Sequence, residues 1–230
     1  MSKTNHKWII LFALQFFIGL TGCNHDPEPN SSAVNNSKPN ISINEGPDLS
    51  VTDYNILFVG NSLTIYNDLP GLVVIEGERK GLDIGVRSVT TGGYTLERHW
   101  NNGILQNEIA SGLFDFVVIQ EGTSASLNGR ANMIKYGTKI KEQCDGYNAK
   151  LAFFMVWPSV NNYHRFNEVI RNYRDVASGL DAILCPVGIA WKEYIDETGD
   201  YSYYDSDQHH PSLAGSQIAA EVIFESLIEK

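Results

Sequence analysis

The chain reads as an α/β protein, a three-layer α/β/α domain built on a parallel five-stranded sheet. Two observations carry that reading. From about residue 51 onward, short apolar or β-branched runs alternate with longer amphipathic ones, and strand-helix alternation means crossover connections and a sheet covered on both faces. A polar or glycine-rich segment also follows each apolar run. Ser62 follows the first, Gly92-Gly93 the second, Gln120-Glu121-Gly122 the third and Trp157-Pro158 the fourth, while Asp207 to His210 precede the last helical stretch. Ligands collect at the carboxyl ends of strands in an open parallel sheet. Five separate segments therefore converge on one edge.

Strands are expected at Asn55 to Gly60, Ile84 to Val89, Phe114 to Gln120, Leu151 to Trp157 and Ala182 to Val187. Each is compact, apolar or β-branched, and bounded by Gly, Asp or Asn. The clearest helices are Leu69 to Lys80, Met133 to Gln143, Arg165 to Ser178 and Ser212 to Ile228, the last opening on Pro211-Ser212 as a start signal. With 230 residues, 43% hydrophobic and 11% aromatic, the chain fills one sizeable domain without metal or disulfide support. That domain is placed at residues 51–230.

Residues 1–22 form a separate object. Lys3 and Lys7 give a basic start, Trp8 to Leu20 is an apolar stretch of 13 residues, and Leu20-Thr21-Gly22-Cys23 closes it. This is the pattern of a signal peptide, and 13 residues fall short of the roughly 20 that cross a bilayer. Residues 23–50, rich in Asn, Ser and Pro and without an apolar period, read as a flexible tether. Removing residues 1–22 takes two lysines and no acid from a formal charge of -10, leaving about -12. Nucleic acid and anionic lipid are not the partners expected on that balance. Cys144 ends a helix that feeds one strand whereas Cys185 lies near the finishing end of the next. Those are opposite edges of a parallel sheet, so no disulfide is expected between them.

The chemistry-bearing segments each have a plain alternative. Gly60-Asn61-Ser62 is a common turn and helix cap, but at a strand-to-helix turn the Ser62 hydroxyl projects above the sheet edge and nearby amides face a developing oxyanion. Asp207-x-x-His210 puts a carboxylate and an imidazole one turn apart, the carboxylate able to orient the ring while the ring takes the Ser62 proton. His209 competes as the base, and His-Pro-Ser at the start of the last helix favours His210. A metal site on Asp205, Asp207, His209 and His210 lacks a distant fourth ligand; no metal or other cofactor is expected. Gly92-Gly93-Tyr94-Thr95 is either a flexible turn or a loop whose backbone must approach a substrate oxygen. Gln120 is a polar strand end or an oxyanion donor.

These blocks resemble the SGNH (GDSL-like) hydrolases over nearly all of residues 55–230. Gly60-Asn61-Ser62 is similar to the family's Gly-Asp-Ser block, Gly93 to the glycine of its second block, and Asp207-x-x-His210 to its acid-base block. The third block departs from the pattern, because Gln120-Glu121-Gly122 stands where Gly-x-Asn is usual. The resemblance implies a flavodoxin-like SGNH-hydrolase architecture, a Ser62, Asp207 and His210 triad, and an oxyanion hole made by Ser62, Gly93 and Gln120. Asn61, Tyr94, Glu121 and Trp157 are the candidate substrate contacts. Among the family's branches, the wording Asn67-Asp68-Leu69-Pro70 and Gly92-Gly93-Tyr94-Thr95-Leu96 is similar to a bacterial lipoprotein branch. Leu-Thr-Gly-Cys resembles a lipobox, which implies lipidation of Cys23, membrane attachment through that lipid and a place in the bacterial cell envelope. The expected activity is ester hydrolysis, with an acetylated glycan as substrate. The rivals are a lipase or thioesterase acting on acyl chains and a glycan-binding lipoprotein that has lost the chemistry.

Overall fold

The computed structural model describes residues 42–44, 48–122 and 126–229. The expected signal peptide, Cys23 and most of the tether lie outside them. The strands are β1 (Ser42–Asn44), β2 (Tyr54–Gly60), β3 (Ile84–Thr90), β4 (Phe116–Ile119), β5 (Lys150–Phe154) and β6 (Ile183–Cys185). The helices are α1 (Ser62–Ile65), α2 (Leu69–Arg79), α3 (Leu96–Asn102), α4 (Ile104–Ala110), α5 (Leu127–Gly146), α6 (Phe166–Gly179), α7 (Val187–Thr198) and α8 (Leu213–Ile228).

The sheet runs in the order β1-β3-β2-β4-β5-β6. Five strands are parallel, as the alternation required, and β1 is added antiparallel to the outer edge of β3, with Ser42 opposite Thr90. This corrects the expected extent of the tether. Ser42–Asn44 has no apolar run to announce it and joins the sheet through backbone pairing, and Leu49 beyond it is buried.

Why the central strands read as unbroken apolar runs follows from their position. Successive strand side chains point to opposite faces, and Ile56, Leu57, Phe58 and Val59 are all fully buried, so both faces of β2 are covered. β4 repeats the pattern with Phe116 to Ile119. On the helical layers, α2 packs on α8 and α8 on α7, while α5 packs on α3, α4 and α6. Cys144, in α5, and Cys185, at the end of β6, are both buried and not bridged to each other, as their places in the strand order led us to expect.

The chain leaves β2 to reach β3 on one side, then crosses back to β4 on the other. The carboxyl end of β2 is thus a topological switch point, where connections diverge and leave a crevice. Ser62 begins the first turn beyond it.

Candidate active site

At the end of β2, Gly60 has no substitute. A Cβ there would lie 2.2 Å from Thr64 Oγ1 and 2.8 Å from Gln120 Oε1. Asn61 then caps α1: its Oδ1 accepts from Leu63 N at 3.1 Å, and its Nδ2 donates to Tyr94 O at 3.1 Å. Its own N–H donates to Gln120 Oε1 at 2.9 Å. Ser62 is the first residue of α1, so its N–H has no acceptor within the helix and stays available.

Facing it is the Asp205–His210 turn. His210 O accepts from Asp205 N at 2.8 Å, Gln208 O accepts from Val160 N at 3.0 Å, and Gln208 itself sits at φ 61. Asp207 Oδ1 accepts from the N–H groups of His209 and His210, each at 2.9 Å. Its Oδ2 lies 2.6 Å from His210 Nδ1, and His210 Nε2 lies 2.9 Å from Ser62 Oγ. A carboxylate can only accept, so Nδ1 carries the proton and Nε2 accepts from the serine hydroxyl. The hydrogen bond from His210, with those from the two backbone N–H groups, lowers the Asp207 carboxyl to about 2. It stays ionised wherever the imidazole is to be held.

His210 and not His209 is therefore the group on Ser62. His209 is half-buried, its pKa lowered by burial and then by the neighbouring imidazole, and its carbonyl accepts from Trp157 Nε1 at 3.1 Å. Among the described residues, no group of three His, Cys, Asp or Glu side chains is arranged to hold a metal ion.

Several of the remaining expectations are corrected. Gln120 is not an oxyanion donor. It is only 1% exposed; its Oε1 accepts from Asn61 N and, at 3.2 Å, from Thr64 Oγ1, and its Nε2 donates to Glu121 O at 2.6 Å. The amide locks the Ser62 turn from beneath. Asn61 is not a substrate contact either, since both ends of its amide bind the protein and tie the Ser62 turn to the Gly93 loop. Glu121 is buried, its carboxylate accepting from Leu96 N at 3.0 Å and Gly122 N at 3.1 Å. Burial raises its pKa against those two bonds. Trp157 is fully buried and stacked on Trp191 at 3.5 Å, so it belongs to the core. Tyr94 remains half-buried beside the site, its ring tilted on His99 at 5.1 Å. Gly93 is exposed at φ 70 with nothing within 4 Å of a would-be Cβ, a conformation glycine adopts freely.

Sequence reasoning missed Thr64, Tyr66, Asn67 and His99. His99 is buried with Nε2 2.9 Å from Gly60 O, the carbonyl just before the Ser62 turn. Asn67 Nδ2 donates to Pro211 O at 3.0 Å and Ser216 Oγ at 2.9 Å, tying the segment after α1 to the one after His210. Tyr66 stacks on His210, and its spacing of four from Ser62 was the available signal, one turn along the same face.

No family model and no curated protein matches the chain. Solved structures do match. A candidate SGNH hydrolase from Slackia heliotrinireducens is 25% identical with a TM-score of 0.62, over 75% of this chain and 98% of that one. A lipase/acylhydrolase from Enterococcus faecalis is 18% identical with a TM-score of 0.62, over 75% and 94%. An acetyl-xylooligosaccharide esterase from Geobacillus stearothermophilus is 15% identical with a TM-score of 0.61, over 77% and 95%. The last two bear on the fold alone. In its sheet, its helices and its likeness to the Slackia protein, the chain is similar to the SGNH (GDSL-like) hydrolases.

Proposed function

We propose that the protein is a serine ester hydrolase that removes acetyl or other short acyl groups from carbohydrate. The observation that carries the reaction class is the unbroken relay from Ser62 Oγ to His210 Nε2 at 2.9 Å and from His210 Nδ1 to Asp207 at 2.6 Å. Ser62 Oγ attacks the acyl carbon as Nε2 takes its proton, forming a tetrahedral intermediate. Nε2 then protonates the departing sugar oxygen and leaves an acyl-serine. Water enters by the same route: it gives its proton to Nε2, attacks the acyl carbon and releases Ser62 and the acid. Backbone N–H groups of Ser62 and Gly93 are the proposed oxyanion donors, Gly93 because its loop is open and carries no side chain.

A short acyl group on a bulky alcohol is supported by the openness of the triad. The Asp207 side chain is 45% exposed, which places the outer end of the triad at the surface, in reach of a bulky alcohol such as a glycan. The esterase from Geobacillus, an enzyme named for acetylated xylooligosaccharides, shares the fold. The acyl-chain reading has its own support in Ile65, 44% exposed three residues after Ser62, and Leu213, 55% exposed three after His210. A chain-length series decides between them. Acetate release from acetylated xylooligosaccharides, with p-nitrophenyl acetate cleaved faster than the octanoate, is the expected result; a preference for octanoate assigns the protein to acyl chains. Equal rates for the protein and its Ser62→Ala variant on every ester would leave glycan binding as its function.

Attachment through a lipid on Cys23, with a place in the bacterial cell envelope, completes the proposal. It rests on Leu20-Thr21-Gly22-Cys23 and the polar stretch after it. Mass spectrometry of the membrane fraction should find a mature protein starting at a diacylated Cys23, and an unmodified N-terminus elsewhere would refute it.

A further inference from the structure

We infer that Tyr66 is a positioning residue for the reaction, its ring holding the plane of the His210 imidazole and facing the positive charge that the imidazole acquires. The inference rests on the hydrolase reading above. The two rings lie with centroids 4.0 Å apart and planes only 6° from parallel. In that geometry the stack occupies one face of the imidazole and leaves its edge free. Both ring nitrogens work in that edge, Nδ1 toward Asp207 and Nε2 toward Ser62. Rotation of the imidazole about its bond to Cβ would break both contacts at once, and the stacked phenol opposes it.

How the ring is held supports the same role. Tyr66 closes the single turn of α1, its N–H donating to Ser62 O. Asn67 and Asp68 follow at φ 55 and 52, two successive left-handed residues that are not glycine. Backbone of that kind persists only where its surroundings over-determine it. Here Asn67 is clamped by its bonds to Pro211 O, next to His210, and to Ser216 Oγ. The segment carrying Tyr66 is thereby fastened to the segment carrying the base. The groups that face His210 are Ser62 from α1, Tyr66 just after it, and Asp207 and His209 from its own loop. Only Asp207 among them carries a full opposite charge, so the π face of Tyr66 is the second favourable surface for the imidazolium.

The test compares Tyr66→Leu and Tyr66→Phe on p-nitrophenyl acetate, with Ser62→Ala alongside. Loss of the ring should lower kcat about 10-fold with KM within about twofold, since the stack strengthens as the imidazole becomes charged. Tyr66→Phe keeps the ring and should stay within about twofold of the unaltered protein. Tyr66→Gln is a second variant without the ring, should Tyr66→Leu not melt cooperatively. Unaltered kcat without the ring, a rise in KM alone, or equal losses in the Phe and Leu variants would overturn the inference. If the unaltered protein is no faster than Ser62→Ala, the hydrolase reading fails and takes this inference with it. Activity that needs Ser62 but not the Tyr66 ring overturns the inference alone.

Discussion

The turn that carries Ser62 and the turn that carries His210 are built in opposite ways. Around Ser62 the backbone is fastened by buried side chains from distant parts of the chain: Gln120 from the end of β4, His99 from α3, and the Asn61 side chain reaching Tyr94. Around His210 a carboxylate folds back on the N–H groups two and three residues ahead and Gln208 is left-handed, while the distant hydrogen-bond donors Val160 N, Trp157 Nε1 and Asn67 Nδ2 reach backbone carbonyls. Buried side chains grip the first turn, whereas the second is shaped by its own carboxylate and held from outside through its carbonyls. The Ser62 turn thus depends on buried groups behind it, whereas the half-buried His210 ring is contacted by Asp207, Ser62 and Tyr66.

That contrast can be broken most severely at the meeting point. Ser62→Ala and His210→Ala should each reduce kcat by at least about 10⁴-fold, and the double variant should be scarcely worse, because either change removes the activated nucleophile. Losses that multiply in the double variant would separate the two turns into independent contributors. Asp207→Asn should be one to two orders of magnitude milder, roughly, since the imidazole remains but loses its orienting acceptor. Steady-state kinetics on p-nitrophenyl acetate check all three.

Stability should respond at the sheet side of the comparison. Trp157→Ala removes a fully buried indole stacked on Trp191 and should destabilise the protein by about 3–5 kcal/mol in urea unfolding, with KM for small esters unchanged. A rise in KM for acetylated xylooligosaccharides at unaltered stability would instead restore Trp157 as a sugar platform. Gln120→Ala leaves the buried Asn61 N–H without its acceptor and should cost about 1–3 kcal/mol of stability along with part of kcat. An oxyanion donor would behave differently, losing about 10²- to 10³-fold in kcat with stability intact.

The smallest effect is expected on the exposed side. The Asp207 carboxyl is held below its ordinary value, so its contribution to stability is present above about pH 4 and is lost as the pH falls towards 2. Acid unfolding of Asp207→Asn should differ slightly from that of the unaltered protein above that window and coincide with it below. The group is exposed and solvent screens it, so a large difference would mean that the loop is more buried than Asp207 indicates.

The same contrast explains what the sequence could and could not reveal. The Asp207–His210 pair sits within one turn, and its spacing alone announced it; β2, β4 and β5 were legible because burial on both faces writes them as apolar runs. Gln120 was recognised as important and given the wrong task, because its partner Asn61 lies 59 residues away and only the fold unites them. Trp157 looked like a strand-end platform because α7, whose Trp191 covers it, was not anticipated. α3 and α4, of seven residues each and separated by the left-handed Gly103, are too short to display an amphipathic period. β1 carries almost no apolar signal, being an edge strand of three residues joined through backbone pairing.

The central claim, that Ser62 is a nucleophile activated by His210, is tested most directly by intact-mass spectrometry after exposure to a fluorophosphonate. A single adduct on Ser62 is predicted, absent in Ser62→Ala and forming far more slowly in His210→Ala. An unlabelled protein, or an adduct that persists in Ser62→Ala, would contradict it.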